Sequence, residues 1–278
     1  MPITTEIFST CHGRSVRTFM ALFLVFSFTL AHGESSEEYL KEAENYEQKG
    51  DINAAIIQLK NALQKDPKNV KARFLLGKNY LTRGDGAGAE KELTRAQSLG
   101  MARQEIVAPL GRAMLLQGLA DDVLEKIKIE KDFPVDIKSD VHVIRANAHI
   151  ILKQNAEAEK EFVTAIGLNP KSLNALAGQT RLAVISQDYE KANKLAAVLI
   201  KSHPDSDAAW VMHGEVSRLT GNMQSALESF DKAISLQKYN LPALLGSAGV
   251  NLVLGNSDEA AKRIDAIQRI SPNQPMAN

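Results

Sequence analysis

The sequence predicts an all-α solenoid, a row of about seven helix–turn–helix units stacked side by side behind an N-terminal targeting segment. Three observations predict it. The first is the stretch Trp210 to Lys238, where Trp210, Gly214, Gly221, Ala226, Phe230 and Ala233 stand at the spacing of one such unit. Gly221-Asn222 breaks the chain, and Ala226, Phe230 and Ala233 recur at a helical period beyond the break. The second is recurrence in phase: units start near Ser36, Val70, Gln104, Ser139, Leu173, Asp207 and Leu241, spaced by 34, 34, 35, 34, 34 and 34 residues. The third is a composition of 44% hydrophobic but only 5% aromatic residues. Ala and Leu dominate it, which favours helices over sheets.

In chain order, residues 1–33 read as a signal peptide. Arg14 and Arg17 precede the uncharged run Phe19 to Leu30, and Ala31-His32-Gly33 offers small residues at the positions a signal peptidase inspects, so cleavage is expected before Glu34. Those twelve apolar residues would make about 18 Å of helix, short of the ~30 Å hydrocarbon core of a bilayer. A cleaved signal is therefore expected rather than a spanning anchor; if uncleaved, the segment is the one expected membrane contact. Cys11, the only cysteine, precedes the apolar run, so the mature chain would hold no disulfide and no thiolate.

The repeat array is expected over residues 34–274, with a short tail at 275–278. Unit one carries Tyr39, Ala43, Gly50, Ala55, Leu59 and Ala62, and unit two Leu76-Gly77, Gly84, Ala89, Leu93 and Ala96. Unit three is worn, because Val123, Ile127 and Glu130 replace the small–large–small triplet. Units four to seven recover the pattern, as in Ala158, Phe162 and Ala165, and Pro170, Pro204 and Pro272 close units, where a helix cannot continue. Pro109 falls inside the first helix of unit three, which is expected to start late or kink. The charged stretch Ile129 to Asp140 holds the one extra residue of spacing and is expected to be an irregular connection. Unit seven shows no polar capping helix after it, so either a partner, such as a second copy in a homodimer, is expected to cover that end, or the chain is expected to be a shortened member of a longer family.

These residues resemble the tetratricopeptide (TPR) repeat, a 34-residue unit of two helices. The resemblance implies stacking of units into a continuous core and a right-handed superhelix. The departures are His213, Ser217 and Lys238, where that family prefers Leu, Tyr and Pro. Between Ala54 and Gly100 the text is narrower. Ile57 to Leu63, Gly84 to Glu90 and Leu115 to Gly118 resemble the N-terminal repeats of the TPR proteins of the PEP-CTERM/exosortase system, the PrsT group. That resemblance implies an exported protein, periplasmic or membrane-associated in a Gram-negative-type envelope, linked to exopolysaccharide production and protein sorting.

No catalytic, metal or cofactor constellation is legible. The glycines of Gly84 to Gly88 lie between two helices with no preceding strand, so they read as a turn. Ser247 lacks nucleophile-elbow spacing, and His142 and His149, seven residues apart on one helix, have no ligand partner in register. Lys plus Arg and Asp plus Glu each number 33, so no net field draws the chain to nucleic acid.

What remains is the surface that TPR proteins use for binding, the inner face of the first helices. Its expected rows place Lys78, Arg112, Asn147 and Arg181 over an apolar floor that includes Phe74, Leu81 and Leu115. That combination suits an extended protein or peptide partner bearing an acidic group or a free C-terminus, because guanidinium groups fork onto carboxylates. The expected function is a non-catalytic scaffold in the cell envelope. The alternative is a carbohydrate- or peptidoglycan-binding module, which Phe74, as the sole aromatic in these rows, makes the weaker reading.

Overall fold

In a computed structural model, residues 35–270 are described. The signal-peptide reading, Cys11, Pro272 and the tail lie outside them. The described residues form fourteen helices, two per unit: α1 (Ser36–Gln48), α2 (Ile52–Lys65), α3 (Val70–Thr82), α4 (Gly86–Ser98), α5 (Arg103–Leu116), α6 (Ala120–Lys126), α7 (Val135–Ile151), α8 (Asn155–Leu168), α9 (Leu173–Ile185), α10 (Tyr189–Ser202), α11 (Asp207–Leu219), α12 (Met223–Leu236), α13 (Leu241–Val253) and α14 (Ser257–Ile270). The fold is all-α.

Local chemistry starts most of the helices. Ser35 forms a capping box with Glu38, and Asn69, Ser172, Ser206 and Asn240 accept from a backbone N–H of the odd-numbered helix they precede. Asp51, Asp85, Asp188 and Asn222 do the same for even-numbered helices. Each such cap stabilises by about 1 kcal/mol. Four starts in the middle of the array, after Ala102, Leu119, Pro134 and Gln154, have no side-chain cap. The turn inside every unit uses one left-handed residue, at Gly50, Gly84, Gly118, Lys153, Gln187, Gly221 and Gly255. Lys153 and Gln187, both at φ 59°, adopt there a conformation that costs a residue with a Cβ about 1–2 kcal/mol.

Each helix packs on its sequence neighbours, and the odd-numbered helices α3, α5, α7, α9, α11 and α13 also touch one another in series. No such series of contacts joins the even-numbered helices. The odd-numbered helices therefore form the tighter layer, and it faces the groove. Between layers lie fully buried side chains such as Leu59, Leu93, Phe162, Leu199 and Phe230, each contributing roughly 1.5–3 kcal/mol. Size is matched from unit to unit. Phe230 lies against Gly214 and Gly246, and Phe162 against Gly178, so closely that an added Cβ would overlap the ring.

Unit three departs from expectation in three ways. Pro109 neither delays nor interrupts α5, which runs from Arg103 to Leu116. Proline removes only one N–H, and buried Ile106, Val107, Ala108, Gly111, Ala113 and Met114 hold the helix on both sides of it. The irregular connection covers 127–134 rather than reaching Asp140, because α7 begins at Val135, directly after Pro134. The second helix, α6, has only seven residues. Ile127 and Phe133 of the connection are buried in the core with Val107, Val123 and Ile144. Arg145 of α7 donates to the carbonyls of Leu124 and Ile127 at the end of α6 and to Glu161 of α8.

Candidate functional site

Four odd-numbered helices converge on one pocket of about 700 Å³. α3 supplies Lys78 and Leu81, α5 Arg112 and Leu115, α7 Asn147 and Ile150, and α9 Arg181. The structure thus brings together six of the seven residues expected there. Phe74 is the exception: it does not line the pocket, and it packs, half-buried, against the core cluster that holds Leu93 and Ile106. It serves the site indirectly, as the Lys78 ammonium stands 5.6 Å from its ring centroid, within cation–π range.

The spacing of the cations follows from the repeat. Lys78, Arg112 and Arg181 sit at the same turn of successive or alternate first helices, so side-by-side packing lines them up across the helices rather than along one. All three are exposed. Among the described residues neither Lys78 nor Arg181 has an acidic partner, while Arg112 meets Asp140 at 3.3 Å. Burial pushes the Asp140 carboxyl above its ordinary range; the Arg112 charge opposes that shift and Asp136 adds to it. Asn147 spends one amide hydrogen on the carbonyl of Val143, leaving its oxygen as an acceptor. Asp140, Asn174 and Gly178 extend the wall in an adjoining recess of about 200 Å³.

Sequence reading missed Asp140, Pro109, Leu116 and Ile151. The last two had a legible signal, since each follows a floor residue and is apolar, and at 53% and 47% exposure they are poorly covered for their size. The other singled-out groups have structural partners. His142 bonds Glu161 at 2.5 Å, and His149 bonds Gln154 at 2.6 Å. His213, whose pKa burial lowers, bonds Ser229 at 2.8 Å. Ser247 is buried beside Asp231 and Arg263. Burial alone would raise Glu161, but hydrogen bonds from His142 and Arg145 outweigh it and hold the carboxyl below its ordinary range. Among the described residues no group of three or more His, Cys, Asp or Glu is placed to hold a metal ion, and no helix is long and apolar enough to cross a membrane.

Packed helix pairs in 34-residue phase, with a groove along the first helices, define a repeat scaffold. Residues 46–100, 139–172 and 179–241 each match the tetratricopeptide repeat, together more than half of the chain; the protein is a tetratricopeptide-repeat protein. That fold is typically a non-catalytic scaffold, and such proteins in general bind protein or peptide partners. Among solved structures, a tetratricopeptide repeat protein of Parabacteroides merdae is similar, with 18% identity, coverage of 87% of this chain and 95% of that one, and a TM-score of 0.58. Yeast Tom70 is similar over 90% of this chain and 56% of its own, with 18% identity and a TM-score of 0.60. Pseudomonas aeruginosa pilF covers 77% and 97%, with 16% identity and a TM-score of 0.51. At such identities the likeness concerns the fold alone. No curated protein matches the chain.

Proposed function

We propose that this protein is a non-catalytic scaffold of the bacterial cell envelope that holds an extended, acidic segment of another protein in the groove of α3, α5, α7 and α9. One observation carries the reading: three exposed cations from three helices share a pocket whose floor is apolar. Among the described residues, Lys78 and Arg181 reach this pocket with no acidic side chain beside either, so an acidic segment lying along it would find a cation near each end. Leu81, Leu115 and Ile150 beneath them would exclude water and strengthen the contact. A single Arg–carboxylate contact is worth about 1.5–3 kcal/mol, so useful affinity needs contacts from several units, which the groove supplies.

The envelope location rests on the sequence of residues 1–33, and the link to exopolysaccharide-associated protein sorting rests on the resemblance over Ala54 to Gly100. To test the reading, a photo-crosslinking side chain is placed at Leu115 in the groove, and in a second protein at exposed Val163 of α8. Both are expressed in an envelope-bearing host. Adducts at position 115 that vanish with Lys78→Glu/Arg112→Glu/Arg181→Glu are expected. Equal adducts at both positions, unaffected by the charge changes, would refute the groove as the site.

A further inference from the structure

The pocket wall continues beyond the cations. Leu116 and Ile151 line it, and the same position of the next three first helices is filled by Ile185, Leu219 and Val253. These five large apolar side chains are 53%, 47%, 47%, 43% and 69% exposed. In units one and two the position holds Gln48 and Thr82, so the ridge begins at unit three and runs through unit seven. Its charge is uneven. The acceptor-seeking cations Lys78, Arg112 and Arg181 lie toward its start, while farther along Arg218 is tied to Glu215 at 2.8 Å.

We propose that this ridge selects a polyproline II segment of a partner protein, apolar at every third residue and acidic at the end lying over units two to five. The inference deepens the groove reading and rests on it. Its basis is a match of periods. The first helices touch in series from α3 to α13, and helices in contact lie about 8–10 Å apart, so the ridge presents an apolar side chain at about that interval. A polyproline II chain turns every three residues and rises about 3.1 Å per residue, so every third side chain returns to the same side after about 9.3 Å. A β-strand covers a similar distance in three residues but turns its side chain to the opposite face. Of the two extended forms, polyproline II is the one that keeps one face on the ridge. Four intervals then call for about thirteen residues. The acidic end follows from charge complementarity with the cations. Because Leu116 and Ile151 share a pocket walled by four helices, a chain can enter where the flat surface of a bilayer cannot.

The test uses the full chain and two fluorescein-labelled fifteen-residue peptides of one composition, built from Leu, Pro and Ser with Asp-Glu at one end. In one peptide Leu recurs at every third residue; in the other the Leu positions are irregular. Fluorescence anisotropy is expected to show at least tenfold tighter binding of the periodic peptide, and at least a tenfold loss with Ile185→Ser/Leu219→Ser/Val253→Ser. Val253→Ser alone, at the most exposed position, keeps the test open should the triple variant fold poorly, and is expected to weaken binding about threefold. Equal binding of the two peptides, or no effect of the ridge variants, would overturn the inference. If ridge variants leave binding intact while Arg112→Glu/Arg181→Glu abolishes it, the ridge fails and the groove reading stands. Vesicles containing anionic phospholipid that bind the wild type, lose the ridge variants and leave both peptides unbound would also overturn it, in favour of lipid.

Discussion

Gly246 and Gly249 lie three residues apart on α13 and offer a controlled test of the packing. A Cβ added at Gly249 meets nothing within 4 Å; one added at Gly246 comes within 3.0 Å of three atoms of the Phe230 ring. Both are mid-helix glycines, so replacement by Ala brings the same gain of roughly 0.5–1 kcal/mol from reduced backbone freedom. Gly249→Ala should show that gain undiluted. In Gly246→Ala the gain is opposed by overpacking, which costs about 1–3 kcal/mol, because Phe230 is fully buried and also held by Gly214. The two variants should therefore differ by about 1–3 kcal/mol, with Gly246→Ala the less stable. Phe230→Leu combined with Gly246→Ala should be more stable than the sum of the two changes implies, by at least 0.5 kcal/mol. Stability in a repeat array is partly local, so urea melts would be paired with amide exchange of α12 and α13. Equal shifts for the two Gly→Ala variants would refute the close approach of ring and helix.

Further outcomes follow from the turns and the charged contacts. Gln187→Gly and Lys153→Gly should each raise stability by about 0.5–1 kcal/mol in thermal melts, since glycine relieves the left-handed strain but loses more entropy. Because the Glu161 carboxyl is held below its ordinary range, its contribution is present above the unfolded value of about 4.3 and is lost as pH falls through the depressed folded value. Glu161→Gln should thus cost about 1.5–3 kcal/mol at neutral pH and flatten the acid limb of stability against pH. Asp140→Asn should free Arg112 and tighten acidic-peptide binding severalfold in anisotropy titrations; unchanged binding would show that Arg112 is not restrained by Asp140.

The repeat phase is legible because a 3.6-residue period, a mid-unit Gly and a small residue against a large one recur together. Compensation is legible too. Phe162 and Phe230 are each followed sixteen residues later by a glycine, Gly178 and Gly246. The six groove residues came from register alone, since a position shared by successive first helices must line up once those helices pack. What register cannot convey is side-chain commitment. Phe74 occupies a groove register but lies half-buried against the core cluster, and Asp140 reaches Arg112 from a different helix. The shortness of α6 was not legible either. Ile127 and Glu130 signal a worn repeat, yet where the helix stops depends on Arg145, eighteen residues past Ile127, reaching back to its carbonyls. Lys153 and Gln187 hide the turn they make, because nothing in a Lys or Gln announces a positive φ.

The most direct measurement of the central claim is an anisotropy titration of the full chain with one acidic, Leu-containing peptide in two forms, free carboxylate and C-terminal amide with its acidic side chains replaced by amides. The groove predicts at least tenfold tighter binding of the charged form. That preference should vanish in Lys78→Glu/Arg112→Glu/Arg181→Glu, whose helicity by circular dichroism stays that of the wild type. Equal affinity for both forms, or a preference that survives the three charge reversals, would contradict the account and leave the cations as a solvated face.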